Sequence, residues 1–248
     1  MSNHQPNAIP EAVLRELAPH GALRAAINLG NSVLAQRQPN EEKLTGVSVD
    51  LADALGRQLG VPVEHVIFDA AGKVFEALAE HRWDVAFLAI DPTRGEQIAF
   101  TPPYVLIEGA YLVRADDNRF QCSADLDRHG VRISVGNASA YALFLGRTLE
   151  HASLESHLTG HDAFTAFLQS DLDATAGIRQ VVEAYAANNP ELRVIDDSFM
   201  TIRQAIGVPK AHSAALAFVT GFIAAQKTQG RIADSLERSG QSAAKVAP

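Results

Sequence analysis

Arg94 carries the clearest chemical signal in this 248-residue sequence. It stands four residues beyond the apolar run Val85 to Ile90, which reads as a buried strand, so Arg94 sits where a strand's C-terminal end opens onto a cleft. A guanidinium presents a planar fork of donors that fits a carboxylate through two parallel hydrogen bonds. The alternative is a surface ion pair with Asp91 or Glu96. Lys73 and Arg179 either join Arg94 in a cationic pocket for an anion or lie on solvated helix faces. Glu108 interrupts the apolar run Val105 to Val113, and an unpaired carboxylate is costly in a core. It therefore faces the cleft or lies on an exposed edge, and Gln204 in a later extended run is open to the same two readings. Ser139 begins a predicted helix after Gly136, where unpaired backbone N–H groups favour an anion. Its hydroxyl serves as a plain N-cap or touches a ligand. Trp83, at a helix-to-strand junction, reads as packing.

Other common chemistries lack their signatures. There is no G-x-G-x-x-G after a strand, no G-x-x-x-x-G-K-[ST], no H-E-x-x-H and no G-x-S-x-G. His157 and His161 are four residues apart, but Gly160 and a predicted strand-to-helix switch separate them, which argues against a metal pair. No cofactor and no metal are expected.

The elements that must hold these residues alternate as strand and helix. Strands are expected over 23–28, 63–68 and 84–90. Val47, Leu51, Leu55 and Leu59 recur at four-residue spacing as one amphipathic helix, ended by Gly60 and Pro62, and a second helix covers 70–81. Thr101, Pro102 and Pro103 stop the pattern, and 104–113 runs extended. A second series follows, with strands over 131–135, 153–158, 172–178 and 192–195 and helices over 139–149, 162–169 and 179–188. The run 199–208 is extended again, and a helix-rich stretch over 213–239 closes the chain. Two α/β units joined by extended crossings, with no flexible linker, imply two lobes around a cleft. The first takes 21–106 plus 204–240 and the second 110–200, with tails at 1–20 and 241–248.

Arg94, Ile98, Phe100, Thr101 and Tyr104 keep the spacing of a T-x-x-R-x-x-x-I-x-F-[ST]-x-x-Y motif, with Asp91 in place of the first Thr. Leu23 to Asn28 matches an opening strand, Gly46 to Ala52 a helix entry, and Gly136 to Tyr141 a second-lobe helix start. In this order the segments resemble the bacterial extracellular solute-binding proteins of family 3, the polar amino acid receptors of ABC transporters. The resemblance implies an α/β, two-lobed type II periplasmic-binding-protein fold with two hinge-crossing strands. It also implies that Arg94 grips the ligand's α-carboxylate.

Departures from the family's pattern bear on the ligand. The aspartate that clamps an α-ammonium falls on Ile178, next to Arg179, and the first-lobe acidic position falls on Asn28. A stacking aromatic is replaced by Ala71, and two serines ahead of the arginine by Phe87 and Ala89. The expected ligand-binding set is thus Asn28, Lys73, Phe87, Ala89, Arg94, Glu108, Ser139, Ile178 and Arg179. Without carboxylates for an ammonium, an ordinary α-amino acid is disfavoured.

The expected function is a solute-binding protein that closes over a small carboxylate-bearing metabolite, amino-acid-like or an organic acid. One rival is a lyase resembling the cyclohexadienyl dehydratases, whose catalytic glutamate falls on non-acidic positions around Arg179, leaving Glu108 or Glu183 as substitute acids. Another is a ligand-sensing module on the same scaffold. Charge narrows the partners: 21 Lys and Arg against 29 Asp and Glu give −8, with a pI near 5.6. That argues against nucleic acid, which selects a basic face. The single cysteine, Cys122, excludes an intrachain disulfide and a thiolate-rich zinc site. No apolar run reaches the roughly 18 residues that span a bilayer. Met1 to His20 lacks a basic start, an apolar stretch and a small-residue cleavage site, so a cytoplasmic chain is expected. A mature form that has lost its leader would instead be periplasmic, with ABC permease subunits as partners.

Overall fold

A computed structural model of the chain describes residues 8–38 and 43–248. The chain opens with α1 (Glu11–Leu17), β1 (Leu23–Asn28), β2 (Gln36–Arg37), β3 (Leu44–Thr45), α2 (Val47–Leu59), β4 (Val63–Phe68), α3 (Ala71–Glu76), β5 (Val85–Ala89) and β6 (Ile98–Phe100). The first crossing is β7 (Val105–Arg114). Then come β8 (Arg132–Gly136), α4 (Ala140–Thr148), β9 (Ser153–His157), α5 (Gly160–Gln169), β10 (Ala174–Ile178), α6 (Arg179–Asn188) and β11 (Leu192–Val194). The return crossing is β12 (Met200–Pro209), followed by α7 (Ser213–Thr228), α8 (Arg231–Arg238) and β13 (Lys245–Val246).

One continuous sheet runs β4-β1-β5-β12-β7-β10-β8-β9. In the first half β1 pairs in parallel with β4 and β5; in the second, β8 pairs in parallel with β10 and β9. The crossings β7 and β12 are antiparallel to each other, with Met200 opposite Gly109 and Gln204 opposite Val105. Each then continues into one half, β12 against β5 and β7 against β10. The two lobes are thus joined through paired extended backbone, which can twist about its axis without losing helical hydrogen bonds.

Strand composition explains the layers. Every residue of β5 and of β10 is buried, as expected for inner strands covered on both faces. Ala26, Phe68, Val74, Trp83, Leu88 and Ile98 form a compact core under α3, and the Trp83 indole donates to the Val74 carbonyl at 2.8 Å. Ala110, Leu112, Phe164, Phe167 and Val182 form the equivalent core of the second lobe.

Some boundaries differ from those expected, each for a local reason. The helix predicted over 70–81 ends at Glu76. Beyond it Leu78, Ala79 and His81 donate to carbonyls three residues back, tightening the chain into turns, and His81 takes a left-handed φ of 51° that no helix can continue. The stretch before residue 20 is not a free tail in the described part: α1 buries Val13 and Leu17, and the Glu16 carboxylate accepts from Ala215 N–H at 2.8 Å in the first turn of α7. The last residues return too, because β13 pairs with β7. Among the described residues no helix is long and apolar enough to cross a membrane.

Gly46, just before α2, has a φ of 112°, and a Cβ there would lie 2.5 Å from the Leu34 carbonyl oxygen. Gly46→Ala should therefore cost more than about 1 kcal/mol, read in thermal melts as a Tm lower by about 2 °C or more. An unchanged Tm would show that the Leu34 loop moves freely aside.

Candidate functional site

The strand ends meet in one cleft. Asn28 ends β1, Asp69 follows β4, Phe87 and Ala89 close β5, Gly136 ends β8 and Ile178 ends β10, and all of them line a central cavity of about 50 Å³. Gln204 and Ile202 of β12 form its floor where the two crossings run side by side. The first residues of α4 and α5 complete the wall, with Ser139, Ala140, Thr159 and Gly160. Parallel strands thus deliver their C-terminal ends, and two helices their N-termini, to a single point.

Arg94 is the cation of this cavity. After β5, Asp91 Oδ1 accepts from Thr93 N–H at 2.9 Å, and the turn Arg94–Glu96 folds the side chain back under the sheet. The residue is 1% exposed. Its Nη1 donates to the Ala89 carbonyl at 3.0 Å, and its Nη2 reaches across the cleft to the Ala138 carbonyl at 2.8 Å. Among the described residues its Nε has no partner. Burial pushes the guanidinium down to about 10, still charged at neutral pH. The surface ion pair with Asp91 or Glu96 is therefore not what the structure has. Asp91, itself buried, instead binds Arg147 of α4 at 2.6 Å, a second bridge between lobes.

Ser139 is the N-cap of α4, its hydroxyl accepting from Ala142 N–H at 3.1 Å, and it also lines the cavity. The N-cap reading holds, and the same residue borders the cavity. Tyr141 is buried beside it, and burial raises its hydroxyl above the usual tyrosine range. Thr159 caps α5 in a reciprocal box with Asp162. Ala138, between β8 and α4, has a left-handed φ of 51°, which aims its carbonyl at Arg94.

Three expected members lie elsewhere. The Lys73 ammonium is half-exposed and pairs with Asp69 at 2.7 Å, one helical turn back, on the outer side of α3. Glu108 and Arg179 pair with each other at 2.8 Å, and Arg179 also donates to the Asp196 carbonyl. The two-residue period of β7 buries Val105, Ile107 and Gly109, placing Glu108 on the opposite face, where Arg179 meets its charge. Glu183 lies 3.6 Å from the same guanidinium. The three-cation pocket is thus reduced to Arg94, and neither substitute acid reaches the cavity. His161 shares a 2.9 Å hydrogen bond with Tyr185 rather than joining His157.

Asn28, Phe87, Ala89, Arg94, Ser139, Ile178 and Gln204 do come together. Asn31, Asp69, Tyr141 and Thr159 were missed by sequence reasoning. Asp69 follows directly on the predicted strand 63–68, so the rule that ligands meet strand C-terminal ends could have found it. Thr159 follows directly on the predicted strand 153–158 in the same way, whereas Asn31 carried no such signal.

Residues 31–241 match the family model of the bacterial extracellular solute-binding proteins, family 3, and the chain belongs to that family. It is 25% identical to the ABC transporter arginine-binding protein 1 of Escherichia coli over 76% of this chain and 78% of that protein. It is 23% identical to a probable histidine-binding protein of Campylobacter jejuni, over 61% of this chain and 59% of that protein's length. Among solved structures, an arginine-bound amino acid ABC transporter substrate-binding protein of Streptococcus pneumoniae aligns with a TM-score of 0.78 at 20% identity, covering 91% of this chain and 97% of that one. An ancestral amino acid-binding protein described as a precursor of cyclohexadienyl dehydratase aligns at 0.74 and 24%, covering 91% and 97%. These likenesses fix the two-lobed fold; the binding proteins among the relatives are named for different amino acids.

Proposed function

We infer that the chain is a solute-binding protein that closes over a small carboxylate lacking a free α-ammonium, such as a 2-oxo or 2-hydroxy acid. The observation that carries this is Arg94, fully buried between the lobes, whose Nε has no partner and whose guanidinium hydrogen-bonds to no carboxylate among the described residues. A buried cation whose nearest carboxylate, Asp91, is hydrogen-bonded to Arg147 instead is a costly arrangement that an anionic ligand would relieve. The N-termini of α4 and α5 favour the same sign of charge. The positions from which family members clamp an ammonium hold Asn28 and Ile178. The carboxylate that does line the cavity, Asp69, is largely exposed and pairs with Lys73 at 2.7 Å. The lyase reading loses its proposed acids, since Glu108 and Glu183 are engaged with Arg179 outside the cavity. ABC permease subunits are the partners this function implies if the chain is exported.

A thermal-shift panel tests the ligand class, because a ligand at about 100 times its Kd adds roughly 2.7 kcal/mol to the folded state. The panel holds the proteinogenic amino acids, their 2-oxo and 2-hydroxy counterparts and small dicarboxylates. Stabilisation by acids without the amine, and little by the amino acids, is expected. Stabilisation by arginine, histidine or glutamine with no response to the acids would overturn the reading.

A further inference from the structure

The central cavity opens into a larger one. Gly30, Asp69, Tyr141, Thr159, Gly160 and Ile178 border both, and beyond them lies an outer chamber of about 290 Å³. Its character differs from that of the inner cavity. Leu29 contributes from the first lobe, and Ile178, Val181 and Phe164 from the second. Tyr185 stacks on Phe164 with ring centroids 4.2 Å apart and planes 4° from parallel. The tyrosine hydroxyl is occupied by His161, so the ring offers its apolar body to the chamber.

The inner cavity, at about 50 Å³, has room for only a handful of heavy atoms, about a carboxylate and the carbon bearing it. Contacts of that extent make a poor grip, since affinity rises with the number of ligand atoms buried. Any further atoms of a ligand held at Arg94 must pass the shared border and enter the outer chamber, whose wall is mostly apolar, with Ser32, Asp69, Thr159 and His161 as its polar members. That border carries both characters: Asp69, Tyr141 and Thr159 are its polar members, while Ile178 continues into the apolar surface of Val181 and Leu29.

We propose that the outer chamber is a tail subsite, and that the ligand is a carboxylic acid bearing an aromatic or branched aliphatic tail. This rests on the carboxylate reading of Arg94 and adds to it the chemistry of the rest of the molecule. Each methylene taken from water into the chamber is worth about fourfold in affinity.

The test uses the full chain and three probes, acetate, 4-methylpentanoate and 3-phenylpropanoate, with Kd values from calorimetry and NMR titration. The two tailed acids should bind at least about 100-fold more tightly than acetate. Val181→Trp, filling the chamber from the second lobe, should bring them to within about threefold of acetate while leaving acetate unchanged. Leu29→Trp does the same from the first lobe, so a folding defect in one variant does not decide the matter. Equal affinity for all three acids, or tailed acids untouched by both substitutions, would overturn the tail subsite and leave the Arg94 anchor standing. No binding of any acid by the unmodified chain would overturn the anchor, and the tail subsite with it.

Discussion

Arg94→Met should abolish measurable ligand binding while leaving the unliganded protein at least as stable as before. The two halves of this result have one cause. With the lobes shut the guanidinium is buried with two carbonyl contacts, and among the described residues its Nε has no partner and Asp91 acts on it only through space. Replacing a buried, incompletely compensated charge by an apolar side chain of similar length is commonly neutral or stabilising. With ligand present the balance reverses, and losing one partner of a desolvated charge pair costs about 2–5 kcal/mol, some thirty- to several thousand-fold in Kd. Arg94→Lys should recover only part of the affinity, because an ammonium cannot form two parallel bonds to one carboxylate. Calorimetric titration together with thermal melts of the unliganded variants checks both halves. A residue that merely props up the turn after β5 gives the opposite pattern, a lower Tm with Kd unchanged, and that outcome would remove Arg94 from the site.

The periodic parts of the fold were legible because they are set locally. Strands 23–28 and 63–68 and the helix 179–188 fall where apolar runs and helical spacing put them, and the first of the two extended crossings starts after the break at Pro102 and Pro103. The residues that line the inner cavity had a local signal too, since Arg94 and Ser139 follow buried strands and Ile178 ends one. Partner choice was not. Lys73 and Arg179 have the same side-chain chemistry as a ligand-gripping cation; Asp69, four residues before Lys73, is a local partner, whereas only tertiary structure brings Glu108 within 3 Å of Arg179. Glu108 was read correctly as unfit for an unpaired place in the core, but its remedy lay 71 residues away in Arg179. The same holds for Asp91, whose place in the motif drew attention while its partner Arg147, on the other lobe, carried no sequence signal.

Closure itself makes the second large prediction, with effects of opposite sign on stability and affinity. Gly72 lies in the first turn of α3, and a Cβ there would meet the Ala138 Cβ at 2.9 Å and the Asn137 carbonyl oxygen at 3.1 Å. These neighbours belong to the second lobe, so the crowding exists only while the lobes are shut. Within α3 alone, Gly72→Ala is favourable by about 0.5–1 kcal/mol, because alanine loses less backbone freedom than glycine. The unliganded protein should therefore keep or raise its Tm. Ligand affinity should fall about tenfold, because an added cost of closing lowers the population of the competent state and the apparent Kd rises in proportion. Gly72→Leu should weaken binding further and keep the radius of gyration in solution scattering above that of the unmodified chain when ligand is added. Ala138→Gly supplies the control: it removes the opposing Cβ and relieves a left-handed alanine, worth about 1–2 kcal/mol. Combined with Gly72→Ala it should restore most of the lost affinity, a non-additivity expected of residues in contact. Gly72→Ala and Gly72→Leu proteins that bind as tightly as the unmodified chain would show that the ligand-bound state is more open than this arrangement. The contact of Arg94 with Ala138 would then belong to the unliganded state only.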